Sequence, residues 1–333
     1  MLGDLGAEVV KVEDPHPGDY LRDISPGMYA ALNRGKRSIT LDLKTPDGAA
    51  KLRALWARAD VLLEGFRPGV LERLGFADLL TEPRGVVCRI SGFGQTGPWR
   101  DRAGHDITYL ALSGVLARNG LQDPPVLPGV QLADLFGGAQ QAVIAILAAL
   151  YERKATGKGR VLDVAMTEGA MQLILPHLGA LQAGEPRQRR GDDILSGSKP
   201  AYRVYACAGG GAYALGALEP KFWQRFCAAM KAPQWEDRAF DTSLTPELDA
   251  LFSTRTREQW DQLLRPFDCC GEQVIEPWEL KDHPLLAARD LFIEGLPRSL
   301  PALSPTAELP RGAAPARGQD SEAVLRDWLG ATP

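Results

Sequence analysis

The stretch SITLDLKTPDGAAKLRALWARADVLLEGF, residues 38–66, decides the fold class. It opens on a short strand candidate, Ser38–Leu43, and closes on a compact apolar run, Asp60–Phe66. Between them, residues 45–60 carry Ala49, Leu52, Leu55 and Trp56 at helical spacing. Strand, helix and strand in succession point to a parallel sheet with right-handed crossovers. Working outward, Glu8–Glu13 (EVVKVE) reads as another strand, and Val86–Ile90 (VVCRI) as one covered on both faces. Residues 131–152, QLADLFGGAQQAVIAILAALYE, read as a helix apolar on nearly every side; ATGKGR breaks it and VLDVAM reads as a strand. The class is α/β, and the strand order is not legible.

From Gly184 to Pro200 the chain is rich in Arg, Gly, Asp and Ser, which marks a linker. The expected organisation is a large Rossmann-like domain at 1–183, a linker at 184–200 and a smaller α+β domain at 201–296. Strands are expected near Tyr202–Cys207 and Ala212–Gly216, and helices near Lys221–Met230 and Arg257–Leu264. Residues 297–333 read as a return to the large domain. Pro297–Gly318, dense in proline and alanine, is expected extended, and Ser321 opens a closing helix.

The 333 residues suffice for a substantial core, and 45% apolar with 24% charged residues is the composition of a soluble globular protein. A formal charge of −4 argues against a nucleic-acid partner, though a local basic patch would still serve an anionic small ligand. No run of about 18 apolar residues occurs, so no membrane span is expected. Five cysteines form no metal or disulfide framework; adjacent Cys269 and Cys270 read as redox-active or, more plainly, as two half-buried thiols. The start MLGDLGAEVVKVE lacks signal-peptide features, and a cytoplasmic location is expected.

Three acid or base candidates fall at expected helix N-termini. His105 and Asp106 precede ITYLALSGVLA, Asp134 starts the helix built on LFGGAQQ, and Glu219 stands before Pro220. Capping accounts for a carboxylate in such a place. His105 fits that account less well, because the positive end of a helix disfavours an imidazolium and favours a neutral, proton-accepting ring. Gly137-Gly138 marks close approach by a backbone or by a ligand. Helix N-termini gathered on one cleft suit an enolate or oxyanion. Arg34, Lys36, Arg37, Lys44, Arg67, Arg73, Arg100 and Arg102 make either a solvated face or a phosphate-recognising one. The chain has no GxGxxG after a strand, no Walker A, no GxSxG, and no HExxH or EF-hand pattern, so no metal is expected.

The run LGDLGAEVVKVE, NRGKRSITLDLK, ADVLLEGFRPGVLERLG, ISGFGQTGP, AGHDITYLALSG, LADLFGG and GKGRVLDVAMTEG resembles the class III CoA-transferase superfamily, which includes the α-methylacyl-CoA racemases. The resemblance covers residues 1 to about 296 and implies an interlocked homodimer that binds CoA on its large domain. It implies no cofactor beyond the CoA moiety of an acyl-CoA substrate. Two chemistries share this scaffold. In transferases an aspartate matching Asp134 is the nucleophile; in racemases it is an acid/base, opposite a histidine in a GHD motif that pairs with a glutamate in an EPxF motif. Here those positions are His105 and Glu219 (EPKF), where transferases more often carry an aromatic residue in place of the histidine. The resemblance implies a racemase inverting the 2-methyl centre of an acyl-CoA, with a CoA-transferase as the alternative. It assigns CoA contacts to Leu41, Asp42, Leu43, Lys44, Gly65, Phe66, Arg67, Arg73, Gly104, Asp106 and Tyr109.

Two departures accompany the match. The family pattern has a strand and helix before LGDLGAEVV, on the order of two dozen residues for one α/β unit. A misplaced start or a true truncation would account for this, and the latter admits a CoA-binding remnant without turnover. Val130 stands where some racemases carry a polar residue.

Overall fold

The computed structural model describes residues 1–289, 291–293, 295–297 and 312–330. Most of the expected extended stretch Pro297–Gly318 lies outside these residues. The chain divides into two compact units: Met1–His105, Ala133–Gly169 and Lys281–Pro333 form the first, and Asp106–Leu132 with Ala170–Leu280 form the second.

The first unit is built on parallel strands. Strands β1 (Val10–Glu13) and β2 (Arg37–Thr40) pair with each other; β3 (Val61–Glu64), β4 (Val86–Ser91) and β5 (Arg160–Ala165) form a separate sheet with β4 in the middle. The strand expectations hold, and the arrangement into two sheets is new information. Helix α1 (Pro46–Trp56) joins β2 to β3, with Thr45 accepting the Gly48 N–H at 3.1 Å as its cap.

Successive residues of β4 face opposite ways, which explains its unbroken apolar run. Val87, with Leu62, joins Ile39, Leu52, Leu55 and Trp56 in one core. Cys88, with Leu162 and Val164, joins Ala142 and Ile146 in another. The latter two belong to α2 (Gln141–Thr156), which continues from a π-helical segment at Ala133–Gln140. Together they make a 24-residue rod long and apolar enough, by composition alone, to cross a membrane, a property that the core helix of a soluble protein shares and that no uninterrupted apolar run in the sequence announces. Its inner face covers the core, while Ile144, Leu147 and Tyr151 line an exposed one.

The C-terminal segment completes β2. Asp320 accepts the Ser38 N–H at 2.8 Å and donates its own N–H to the Ser38 carbonyl at 2.9 Å. The Ser321 hydroxyl accepts the Thr40 N–H. Ser321 is the first residue of α3 (Ser321–Leu329), as expected, but Asp320 holds the N-cap place and spends its carboxylate on β2. Val324 is fully buried against the Ile39 core.

The second unit carries an antiparallel sheet of β6 (Tyr202–Ala206), β7 (Ala212–Gly216) and β8 (Gly271–Gln273), in that order. The three-residue β8, with no apolar pattern, was not foreseen. Helices Pro220–Met230, Thr245–Phe252 and Arg257–Leu264 supply the rest of its core, which is aromatic: Tyr205, Tyr213, Trp223, Phe226, Phe252 and Trp260 are buried. Tyr205 stacks on Phe252 with ring centroids 4.3 Å apart, and the Trp223 and Trp260 N–H groups each donate to a main-chain carbonyl at 2.8 Å. ITYLALSGVLA is not one helix. Gly114, at φ 84°, separates Asp106–Ser113 from Val115–Arg118.

Candidate functional site

Buried carboxylates stand at the ends of the strands in the first unit. Glu13, last in β1, accepts the Ser38 hydroxyl at 2.7 Å, an Arg22 N–H at 2.7 Å and the Asp19 main-chain N–H at 3.1 Å. Burial pushes its carboxyl up, but Arg22 and Ser38 outweigh this and hold it below the usual range. Glu64, last in β3, is paired with Arg89 of β4 at 2.6 Å and accepts the Phe66 N–H at 2.7 Å. Arg89 also forks onto Glu72, at 2.9 and 3.0 Å, and holds that carboxyl below its usual range. Asp163 of β5, in register with Arg89 and Glu64, accepts the Gln95 N–H at 2.9 Å. Glu13 and Glu64 thus each tie a strand end to the loop that follows it.

The loops after β2 and β3 carry the CoA positions expected at 41–44 and 65–67. Leu41–Lys44 follow β2 directly, and Gly65–Arg67 follow β3. Ligands of open α/β sheets lie outside such carboxyl ends. Leu41 is buried in the core, so only its main chain could meet a ligand; Asp42 turns its carboxylate onto the Lys44 N–H at 3.0 Å. Lys44, Gly65, Phe66, Arg67 and Arg73 are exposed. A Cβ placed on Gly69 would lie 3.1 Å from an Arg73 guanidinium nitrogen and 3.3 Å from one of Arg100, so two cations converge over this glycine. That geometry suits an anion.

His105, exposed, is the last residue of the first unit before the chain enters the second. Asp106 is buried and forms the first residue of the helix Asp106–Ser113 rather than preceding it. Tyr109 is buried one turn on, and Gly104 is partly exposed. Asp134 is exposed near the start of the π-helical segment, after the chain has returned to the first unit. Glu219, in the second unit, is exposed at the N-cap of Pro220–Met230, and its carboxylate makes no capping bond. The capping account therefore does not explain Glu219.

The Gly137-Gly138 question resolves toward packing. A Cβ on Gly169 would stand 2.6 Å from the Gly137 Cα, so two main chains touch there; one on Gly138 would stand 2.9 Å from the Met166 Cγ. Among the described residues no group of three His, Cys, Asp or Glu side chains is disposed to hold a metal ion. Cys269 is buried, its thiol pushed up to about 11 by that burial, and Cys270 is exposed.

Sequence reasoning missed Arg89, Glu64, Glu72 and Asp163. The available signal was a charge inside an apolar strand run, Glu64 in VLLEGF and Arg89 in VVCRIS, because a charge is rarely buried without a partner.

Parallel strands joined by helices, with candidate ligand loops at their carboxyl ends, define an α/β protein. The chain belongs to CoA-transferase family III, whose pattern it matches over residues 1–321. It is 36% identical to the human alpha-methylacyl-CoA racemase over 343 aligned residues, spanning 98% of this chain and 88% of that one. It is 33% identical to the succinyl-CoA–D-citramalate CoA-transferase of Chloroflexus aurantiacus, over 100% of this chain and 90% of that one. The crystal structure of a CaiB/BaiF family protein from Brucella suis superposes with a TM-score of 0.85 at 28% identity, covering 98% of this chain and 93% of that one. The protein is an enzyme of this family, in which racemase and transferase names both occur.

Proposed function

We propose that this chain is an acyl-CoA racemase that inverts the 2-methyl centre of a branched acyl-CoA. The observation that carries the reading is the pair His105 and Asp134, both exposed to a substrate and each beside the start of a helical segment. The base on one face takes the C2 proton, and the C–H electron pair moves into the thioester carbonyl to give an enolate. The acid on the other face returns a proton to C2, so atoms and charge balance without any further reactant. Each positioned acid/base contributes about 10²- to 10⁴-fold in rate. Glu219 is the third residue assigned to the site, and its carboxylate is not used as a cap. Leu41–Lys44, Gly65–Arg67, Arg73, Gly104, Asp106 and Tyr109 bind CoA, with arginine forks on the phosphates. No cofactor beyond CoA takes part. The active form is an interlocked homodimer of the cytoplasm, a reading supported by the exposed row Ile144, Leu147 and Tyr151.

The test is incubation of a 2-methylacyl-CoA in D₂O without an acceptor acid. Deuterium at C2 supports the racemase, and its loss in His105→Phe with CoA binding intact assigns the base. No incorporation across several branched substrates would sink the reading.

A second reading, CoA transfer between carboxylic acids, has the transferase relatives in its favour. Asp134 is then the nucleophile, forming an acyl anhydride and an enzyme–CoA thioester. It requires acceptor-dependent turnover and an Asp134 adduct that hydroxylamine traps. If CoA binds and neither reaction proceeds, the chain is a binding remnant.

A further inference from the structure

Arg89 is 5% exposed, lies in the middle strand of its sheet, and its side chain bonds to Glu64 and Glu72, neither of which is assigned to CoA. Its guanidinium nevertheless makes three bonds to two acids on either side of the arginine-bearing loop. Glu64 is the last residue before Gly65–Phe66–Arg67, and its second oxygen accepts the Phe66 N–H. Glu72 directly precedes Arg73. The segment from Glu64 to Glu72 is therefore held at both ends by one buried cation, with Arg73 directly after it. Within it, Gly69 lies against the guanidinium groups of Arg73 and Arg100.

Stability alone is a weak reason for such a group. Replacing a buried ion pair by apolar residues is often neutral, whereas removing one partner strands a charge. The fork does achieve fixed geometry: a planar guanidinium bonded to two carboxylates sets their relative position in a way that the point charge of a lysine does not. We infer that Arg89, acting through Glu64 and Glu72, is a positioning residue that sets the bearing of Arg67 and Arg73 toward the phosphates of CoA. This rests on the CoA-binding reading above.

The experiment measures dissociation constants of the full chain for CoA and for pantetheine, which lacks the nucleotide and its phosphates. Arg89→Lys keeps the charge and loses the fork; Glu72→Gln, at a half-buried side chain, loosens one end and spares the strand. Each variant is expected to bind CoA about tenfold more weakly, the loss of one well-placed charged hydrogen bond, with pantetheine affinity unchanged. Should Arg89→Lys fail to fold, Glu72→Gln decides. Unchanged CoA affinity overturns the inference, as does an equal loss for both ligands, which a merely structural role would produce. A native chain that binds no CoA overturns the CoA reading and this inference with it; native binding with unaffected variants overturns the inference alone.

Discussion

The two units are stabilised by different means. The second is packed around rings, with Phe252 touching Tyr205, Tyr213, Phe226 and Trp260, and with Asp106 and Asp261 as its buried charges among the described residues. The first has mainly aliphatic cores, with Glu13 and Glu64 buried at the ends of β1 and β3 and Arg89 buried within β4. Rings fill volume and tolerate no water, but they do not orient a loop. Buried ion pairs contribute little net stability yet dictate where the next residues go. The unit that carries the candidate CoA loops after β2 and β3 is the one that buries both partners of an ion pair, Arg89 and Glu64.

Four changes would break or sharpen that contrast. The largest effect is expected from Phe252→Ala, which empties the centre of the ring cluster and should cost about 4 kcal/mol. Hydrogen exchange should quicken in β6 and β7; equal loosening of β3 and β4 would show that the two cores are not separate. Arg89→Met should follow at about 3 kcal/mol, because Glu64 is left buried without its cation. Here the informative signal is faster exchange of the Phe66 amide, which the Glu64 carboxylate now holds.

Glu13→Gln is a smaller change that reads in pH. The Glu13 carboxyl is held below its ordinary value of 4.5 in the folded chain, so its stabilisation is present above that value and is lost as pH falls through the lowered one. Melting temperatures recorded from about pH 5 to 3 should fall less steeply in the variant than in the native chain. Parallel curves would mean that Arg22 and Ser38 do not favour the ionised form. Least of all is expected from Glu152→Gln, whose solvent-facing pairing with Arg160 should leave the melting temperature unmoved. A clear drop there would blur the distinction between buried and exposed charge.

Local patterns made the strands, α1 and the aromatic helices legible, since each follows from a period of two or 3.6 along a short window. The break at Gly114 was visible as a glycine but not as a turn, because its φ depends on what packs around it. Strand order and the split into two sheets depend on contacts far apart in sequence. The same holds for the Arg89 network, whose members Glu64 and Glu72 lie 25 and 17 residues away. Of the candidate site, the loops after β2 and β3 were legible from motifs, whereas the reason for Gly137 lay in Gly169, a residue carrying no signal of its own.

The wide helical segment at Ala133–Gln140 gives the long rod a change of winding partway along. A π turn takes about one more residue than an α turn, so the stretch that holds Asp134 does not continue the step of the stripe that Ala142 and Ile146 present to the core. Deleting a single residue between Asp134 and Gln141 would let that stretch close to α winding and so change the bearing of the carboxylate, while leaving the inner stripe untouched. The direction in which Asp134 points is thus written in the pitch of the helix, where no substitution at position 134 would reveal it.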